Sequence, residues 1–151
     1  MSNAEHQRLS EWLWKLTRWI MANRGRTCLS MATEQTLFRY VAFAWLHGRI
    51  AVSQEAGQIE AVMFYWSDFK ERIEAKAENK VQQFEWMPNH PGDALFVAEI
   101  IGSHSGVAKI VRSAFEKWPN LMTLPIYTFR RGKLVILCMQ KINQFIDTKI
   151  W

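Results

Sequence analysis

The residues best suited to chemistry lie in Leu95 to Phe115, LFVAEIIGSHSGVAKIVRSAF, where the small-residue stretch Gly102 to Gly106 joins an apolar run to a segment of helical spacing. A helix start presents backbone N–H groups without intrahelical partners, and the helix dipole adds about half a positive charge there. Such an end binds anions, phosphates among them. Gly102 and Gly106 would let a ligand approach the backbone, Ser103 and Ser105 add hydroxyls, and Val107, Ala108, Lys109 and Arg112 carry the site into a basic helix. The same residues also read as an ordinary helix cap, and both readings stand.

Three more residues have reactive side chains in suggestive settings. Glu99 interrupts the apolar strand ALFVAEII, where desolvation favours a carboxyl that takes up protons, as a general base for an amine must; its alternative is a structural pair with Arg39 or Arg112. His104 lies inside the loop, able to donate to a phosphate or accept a proton, or simply to face solvent. Cys28 follows the electropositive NRGRT, a setting that favours thiolate, against the alternative of an inert buried thiol. The four histidines have no metal-ligand spacing, and no metal site is expected.

The elements that must position these groups can be read from periodicity. Residues Arg8 to Asn23 place Leu9, Trp12, Leu13, Leu16, Trp19 and Ile20 at helical spacing, ended by the glycine of NRGR. A second helix starts at Thr33 and stops at His47-Gly48. RIAVSQ and QIEAVMFYW then form a hairpin about Glu55-Ala56-Gly57. The charged segment SDFKERIEAKAENK is expected to be an exposed helix capped by Ser67 or Asp68, and NHPGD a turn. ALFVAEII should be a central strand, and Gly106 to Trp118 a helix stopped by Pro119. LPIYTF and LVILCM close the order as a hairpin about RRGK, followed by a short helix over Gln140 to Thr148. The expected class is α+β, a mostly antiparallel central sheet with helices on its faces.

Composition bounds the rest. A chain of 151 residues reads as a single domain that buries about 68–70% of its unfolded surface. Its apolar fraction of 49% excludes general disorder. Ser2-Asn3-Ala4, within residues 1–4, resembles a remnant of expression and is set aside. No apolar run reaches the ~18 residues of a membrane span, no signal peptide is evident, and two distant cysteines fit reduced thiols, so a cytoplasmic protein is expected. The net charge of +5 favours an acidic partner. Trp12, Trp14 and Trp19 on the first helix pack either on the sheet or across a homodimer.

This order of elements resembles the GNAT acyltransferase fold, whose loop after the central strand reads Gln or Arg, two residues, Gly, one residue, then Gly or Ala. Ser103, His104, Ser105, Gly106, Val107 and Ala108 occupy those positions, with Ser for Gln or Arg. RIAVSQEAGQIEAVMFYWSDFKERIEA, GDALFVAEIIG and the helix running into Trp118-Pro119 are similar to the RTX-toxin-activating lysine acyltransferases, small GNAT-like proteins that take a fatty acyl group from acyl carrier protein. The resemblance implies an acyltransferase using acyl carrier protein or acyl-coenzyme A as donor substrate, with an amine acceptor and no tightly bound cofactor. It implies amides around Ser103 to Ala108 holding the donor, Glu99 or Ala98 where the family has an aspartate, and Leu29 or Cys28 where it has a histidine. It also implies Tyr127 near the place where such enzymes protonate a leaving thiolate. Two other classes compete: a catalytically silent GNAT-like module that binds a protein, and, ranked last for want of any reader motif, a nucleic-acid-binding protein.

Overall fold

The computed structural model describes residues 2–25, 32–78, 92–119, 123–130 and 133–137. The expected turn at Asn89-His90-Pro91, the RRGK turn, the helix over Gln140 to Thr148, and Cys28 and Cys138 lie wholly or partly outside them.

Helix α1 (Asn3–Asn23) begins earlier than its apolar spacing suggests, because Ser2 and Glu5 form a reciprocal capping box. Ser2 and Asn3 thus belong to the helix start. Leu13, Leu16, Thr17 and Ile20 form its buried stripe, and Gly25, at φ +51, follows its end. Helix α2 (Glu34–Leu46) starts at Thr33, whose Oγ1 accepts the Thr36 amide, and is followed by Gly48 at φ +65. Trp14 stacks on Phe38 at 4.0 Å and Trp12 meets Trp45 edge-on at 5.8 Å. Trp19 packs against the core. The tryptophans of α1 are therefore engaged within the chain, against α2 more than against the sheet.

The sheet has five strands in sequential order: β1 (Ile50–Glu55), β2 (Gln58–Asp68), β3 (Ala94–Gly102), β4 (Ile126–Arg130) and β5 (Lys133–Leu137). All neighbours are antiparallel except β3 and β4, which run parallel and are joined through α4 (His104–Lys117). The class is α+β, with a mixed sheet. One face carries Val62, Phe64, Trp66, Phe96 and Ala98 into a core closed by α1 and α2, where the Trp66 indole donates to Tyr40. α4 crosses the other face, packing by Ile110 and Val111. It starts two residues before Gly106, because Ser103 caps it.

Helix α3 (Lys70–Glu78) corrects one expectation. It is not simply an exposed helix, since Ile73 is fully buried. Its Lys70 amide donates to Asp93, 23 positions along the chain, while the buried Asp68 carboxylate accepts the Phe69 amide and pairs with Arg72 at 2.9 Å.

The β1–β2 turn has positive φ at both central residues, Ala56 at 49° and Gly57 at 77°, as a two-residue type I′ hairpin requires. Alanine is poorly suited to that conformation. Ala56→Asn is therefore expected to stabilise the fold by about 0.5–1 kcal/mol, read as a higher urea midpoint at unchanged slope; a lower midpoint would contradict the turn geometry.

Candidate functional site

The start of α4 is built against β2. Gly102 stands at φ +133, and a Cβ on it would lie 2.2 Å from the Glu60 carbonyl oxygen and 2.5 Å from the Ala61 Cα. A Cβ on Gly106 would meet the Glu60 and Ala61 side chains at 2.8 and 2.9 Å. Ser103 donates its amide to the Glu60 carbonyl at 3.0 Å and accepts the Gly106 amide on Oγ at 3.1 Å. Both glycines and the first serine are thus accounted for by the joint between β3, α4 and β2. Of the remaining loop residues, His104 is exposed as the first residue of α4, Ser105 and Val107 are half-buried, and Ala108 is buried.

The basic residues of the proposed donor site have different surroundings. Lys109 donates to Glu60 at 2.8 Å and to Glu55 at 3.3 Å, tying α4 to the β1–β2 hairpin. The hydrogen bond from Lys109, followed by that from Glu55, holds the Glu60 carboxyl below its ordinary value of 4.5; the bond to Glu60 raises the Lys109 ammonium above 10.5. A lowered carboxyl contributes stability above pH 4.5 that is lost as acid protonates it, and a raised ammonium contributes stability that is lost in strong alkali. Lys109→Met should therefore melt below the wild type at neutral pH, with the gap closing as pH falls below 4.5. A gap unchanged down to pH 2–3 would mean that the residue acts by packing. Arg112 is exposed.

Beside this joint the sheet opens. The β3–β4 ladder pairs Leu95–Val97 with Ile126–Thr128, and beyond this last pair, where the strands part, β3 runs on to Gly102. Next to the last β3–β4 pair, the β2–β3 register has a bulge: Phe64 is opposite Glu99 while Tyr65 is opposite Val97, leaving Ala98 as an extra residue. Such insertions bend a strand and re-aim its side chains. An open groove of about 810 Å³ lies between α4 and the sheet, with Met63, Val97, Ile100, Ile110 and Ile126 in its apolar walls. Its volume is that of a small-molecule site.

Glu99 sits at the start of the parting. It is half-buried, not enclosed as its apolar flanks suggest, and Oε1 accepts the Ile100 amide at 3.3 Å. Its register opposite Phe64 assigns it to the α1/α2 side of the sheet. Tyr127, opposite Phe96, is 1% exposed on that side and donates to Glu74 at 3.2 Å. Burial first, then the Glu74 hydrogen bond, raises its phenol above 10.0. Tyr127 is thus part of the core and the α3 contact, across the sheet from the groove. Glu99 is on β3, His104 opens α4, and Tyr127 is on β4 with its hydroxyl on Glu74.

Periodicity did not reveal the aromatic end of the groove. Trp118, 46% exposed at the end of α4, meets Tyr65 at 6.5 Å; the Tyr65 hydroxyl donates to the Gly48 carbonyl, and the Arg49 guanidinium lies over its ring at 5.9 Å. The one sequence signal was an aromatic residue placed just before a helix-stopping proline, Trp118-Pro119.

Among the described residues, no group of His, Cys, Asp or Glu is arranged to hold a metal, and no helix is long and apolar enough to cross a membrane. No protein-family model and no curated protein matches this chain.

Proposed function

We propose that this protein is a GNAT-like acyltransferase that takes an acyl group from acyl carrier protein or acyl-coenzyme A and passes it to an amine. The observation that carries the reading is the parting of the parallel strands β3 and β4 after Val97, beside an apolar groove and leading to the first turn of α4. A thioester seated in that parting would have its chain on the groove side and its carbonyl beside Glu99. Glu99 would act as the base that takes the amine's proton, directly or through water. The amine nitrogen then bonds to the carbonyl carbon, the carbon–sulfur bond breaks, and the thiolate leaves with the donor. No covalent enzyme intermediate is needed. The first turn of α4 supplies an electropositive end for the donor's phosphate.

A second reading is favoured by specific contacts. Ser103, Gly102 and Gly106 serve the fold, Lys109 is paired with Glu55 and Glu60, and Tyr127 is committed to Glu74. A silent module keeping the fold and its groove fits those facts. Incubation with acyl-coenzyme A or acyl carrier protein and an amine acceptor, followed by intact-mass measurement of the acceptor, separates the two. Acyl addition that depends on the protein supports transfer, and none from either donor leaves the binding module.

A further inference from the structure

The charges on the groove are of one sign. Its described lining includes Arg49, Lys109 and Lys117 and no carboxylate. The two ends differ, however. At the end near the start of α4, Lys109 is held by Glu55 and Glu60. At the other end Lys117 has no ion pair among the described residues, and it adjoins Trp118, whose ring meets Tyr65 edge-on at 6.5 Å, while the Arg49 guanidinium lies over the Tyr65 ring at 5.9 Å. Between the ends the walls are aliphatic, formed by Val97, Ile100, Ile110 and Ala114 among others.

We infer that the groove is a binding site for a free single-chain anionic amphiphile, a fatty carboxylate, whose head lies at the Lys117–Trp118–Tyr65 end and whose tail runs along α4 towards Ile100 and Val107. Three physical terms favour that occupant. The aliphatic walls take the chain by the hydrophobic effect. A lining with cations and no carboxylates selects an anion and disfavours a cation. The aromatic pair at the mouth suits the junction between a wet head and a dry tail, because indole and phenol rings combine apolar faces with a polar edge. The inference rests on the groove as a chain-binding site and not on any transfer chemistry. If acyl transfer uses the same groove, free fatty acid competes with the donor.

The test is calorimetric titration of the protein, without acyl donor or acceptor, at pH 8 and below micelle formation. Dodecanoate, methyl dodecanoate and dodecylammonium are compared. Dodecanoate should bind on the order of tenfold tighter than dodecylammonium, with the ester between them. Lys117→Glu, a change on an exposed residue, should weaken dodecanoate roughly fivefold and leave the ester unchanged. Ala114→Trp, which fills the groove from α4, should abolish binding of all three, with circular dichroism confirming that the variant is folded. Equal binding of dodecanoate and dodecylammonium, no effect of Lys117→Glu, or undiminished binding to folded Ala114→Trp would each overturn the inference. Dodecanoate binding by a protein that transfers no acyl group would sink the transferase reading alone.

Discussion

Replacing Gly102 with alanine is expected to destabilise the fold by about 3 kcal/mol or more, the sum of a strained backbone and an overpacked joint. Two independent causes converge at this position. Its φ of +133 is a conformation that a residue with a Cβ rarely adopts, and the added carbon would lie 2.2 Å from the Glu60 carbonyl oxygen and 2.5 Å from the Ala61 Cα. Neither atom can swing aside, since both belong to the backbone of β2, which is paired on one side with β1 and on the other with β3. Two other glycines calibrate the result. Gly57 also has positive φ, +77, but nothing lies within 4 Å of a Cβ there, so Gly57→Ala carries the strain alone, about 1 kcal/mol. Gly106→Ala meets mainly side-chain atoms of Glu60 and Ala61 and should fall between, at about 1–2 kcal/mol. Urea unfolding of the three variants gives the order directly. Equal losses at Gly102 and Gly57 would mean that the close approach to β2 is not as described. The same geometry affects any kinetic use of Gly106→Val: a raised KM for the donor could come from a displaced α4 as easily as from an obstructed ligand, so its melting temperature must be measured alongside.

The elements were legible where one local signal sufficed, and the site was not, because it depends on how distant segments meet. The apolar run Ala94 to Ile101 could only be an interior strand, and Thr33 and Gly48 bracket α2 as a cap and a positive-φ terminator should. The start of α1 was misplaced because apolar spacing begins at Leu9, whereas the helix is nucleated by the polar Ser2–Glu5 box. The α3 start was legible only in part, since Asp68 takes the Phe69 amide but the acceptor for the Lys70 amide is the distant Asp93. At the site, GSHSG is compatible with a ligand cradle or a helix joint, and only the distances to Glu60 and Ala61 reveal the joint. The cationic helix face reads as a donor surface until Glu55 and Glu60, from the opposite hairpin, are found on Lys109. The bulge at Ala98 has no signature in ALFVAEII, because it is a property of the register with β2.

Glu99→Gln is expected to lower kcat for amine acylation by ~10²–10⁴-fold, the usual loss when a general base is removed, with KM for the acyl donor little changed. Glutamine preserves the length and shape of the side chain but has no carboxylate to receive the amine's proton. In the proposed reaction the donor's chain would lie on the groove side, while Glu99, opposite Phe64, belongs to the α1/α2 side, so the substitution should touch the acceptor's proton and not the donor's binding. Glutamine keeps the volume of this half-buried side chain, so a fall in kcat without a change in melting temperature separates lost chemistry from lost packing. His104→Ala is the necessary companion, since His104 is exposed in the first turn of α4, where the donor's polar end would lie. A large fall in kcat for His104→Ala with none for Glu99→Gln would move the base to the histidine. A rise in donor KM together with a fall in melting temperature for Glu99→Gln would mark the carboxylate as structural. Should both variants turn over at the wild-type rate, the amine must lose its proton to another group or arrive already neutral, and the parting of β3 and β4 would then contribute by positioning the thioester alone.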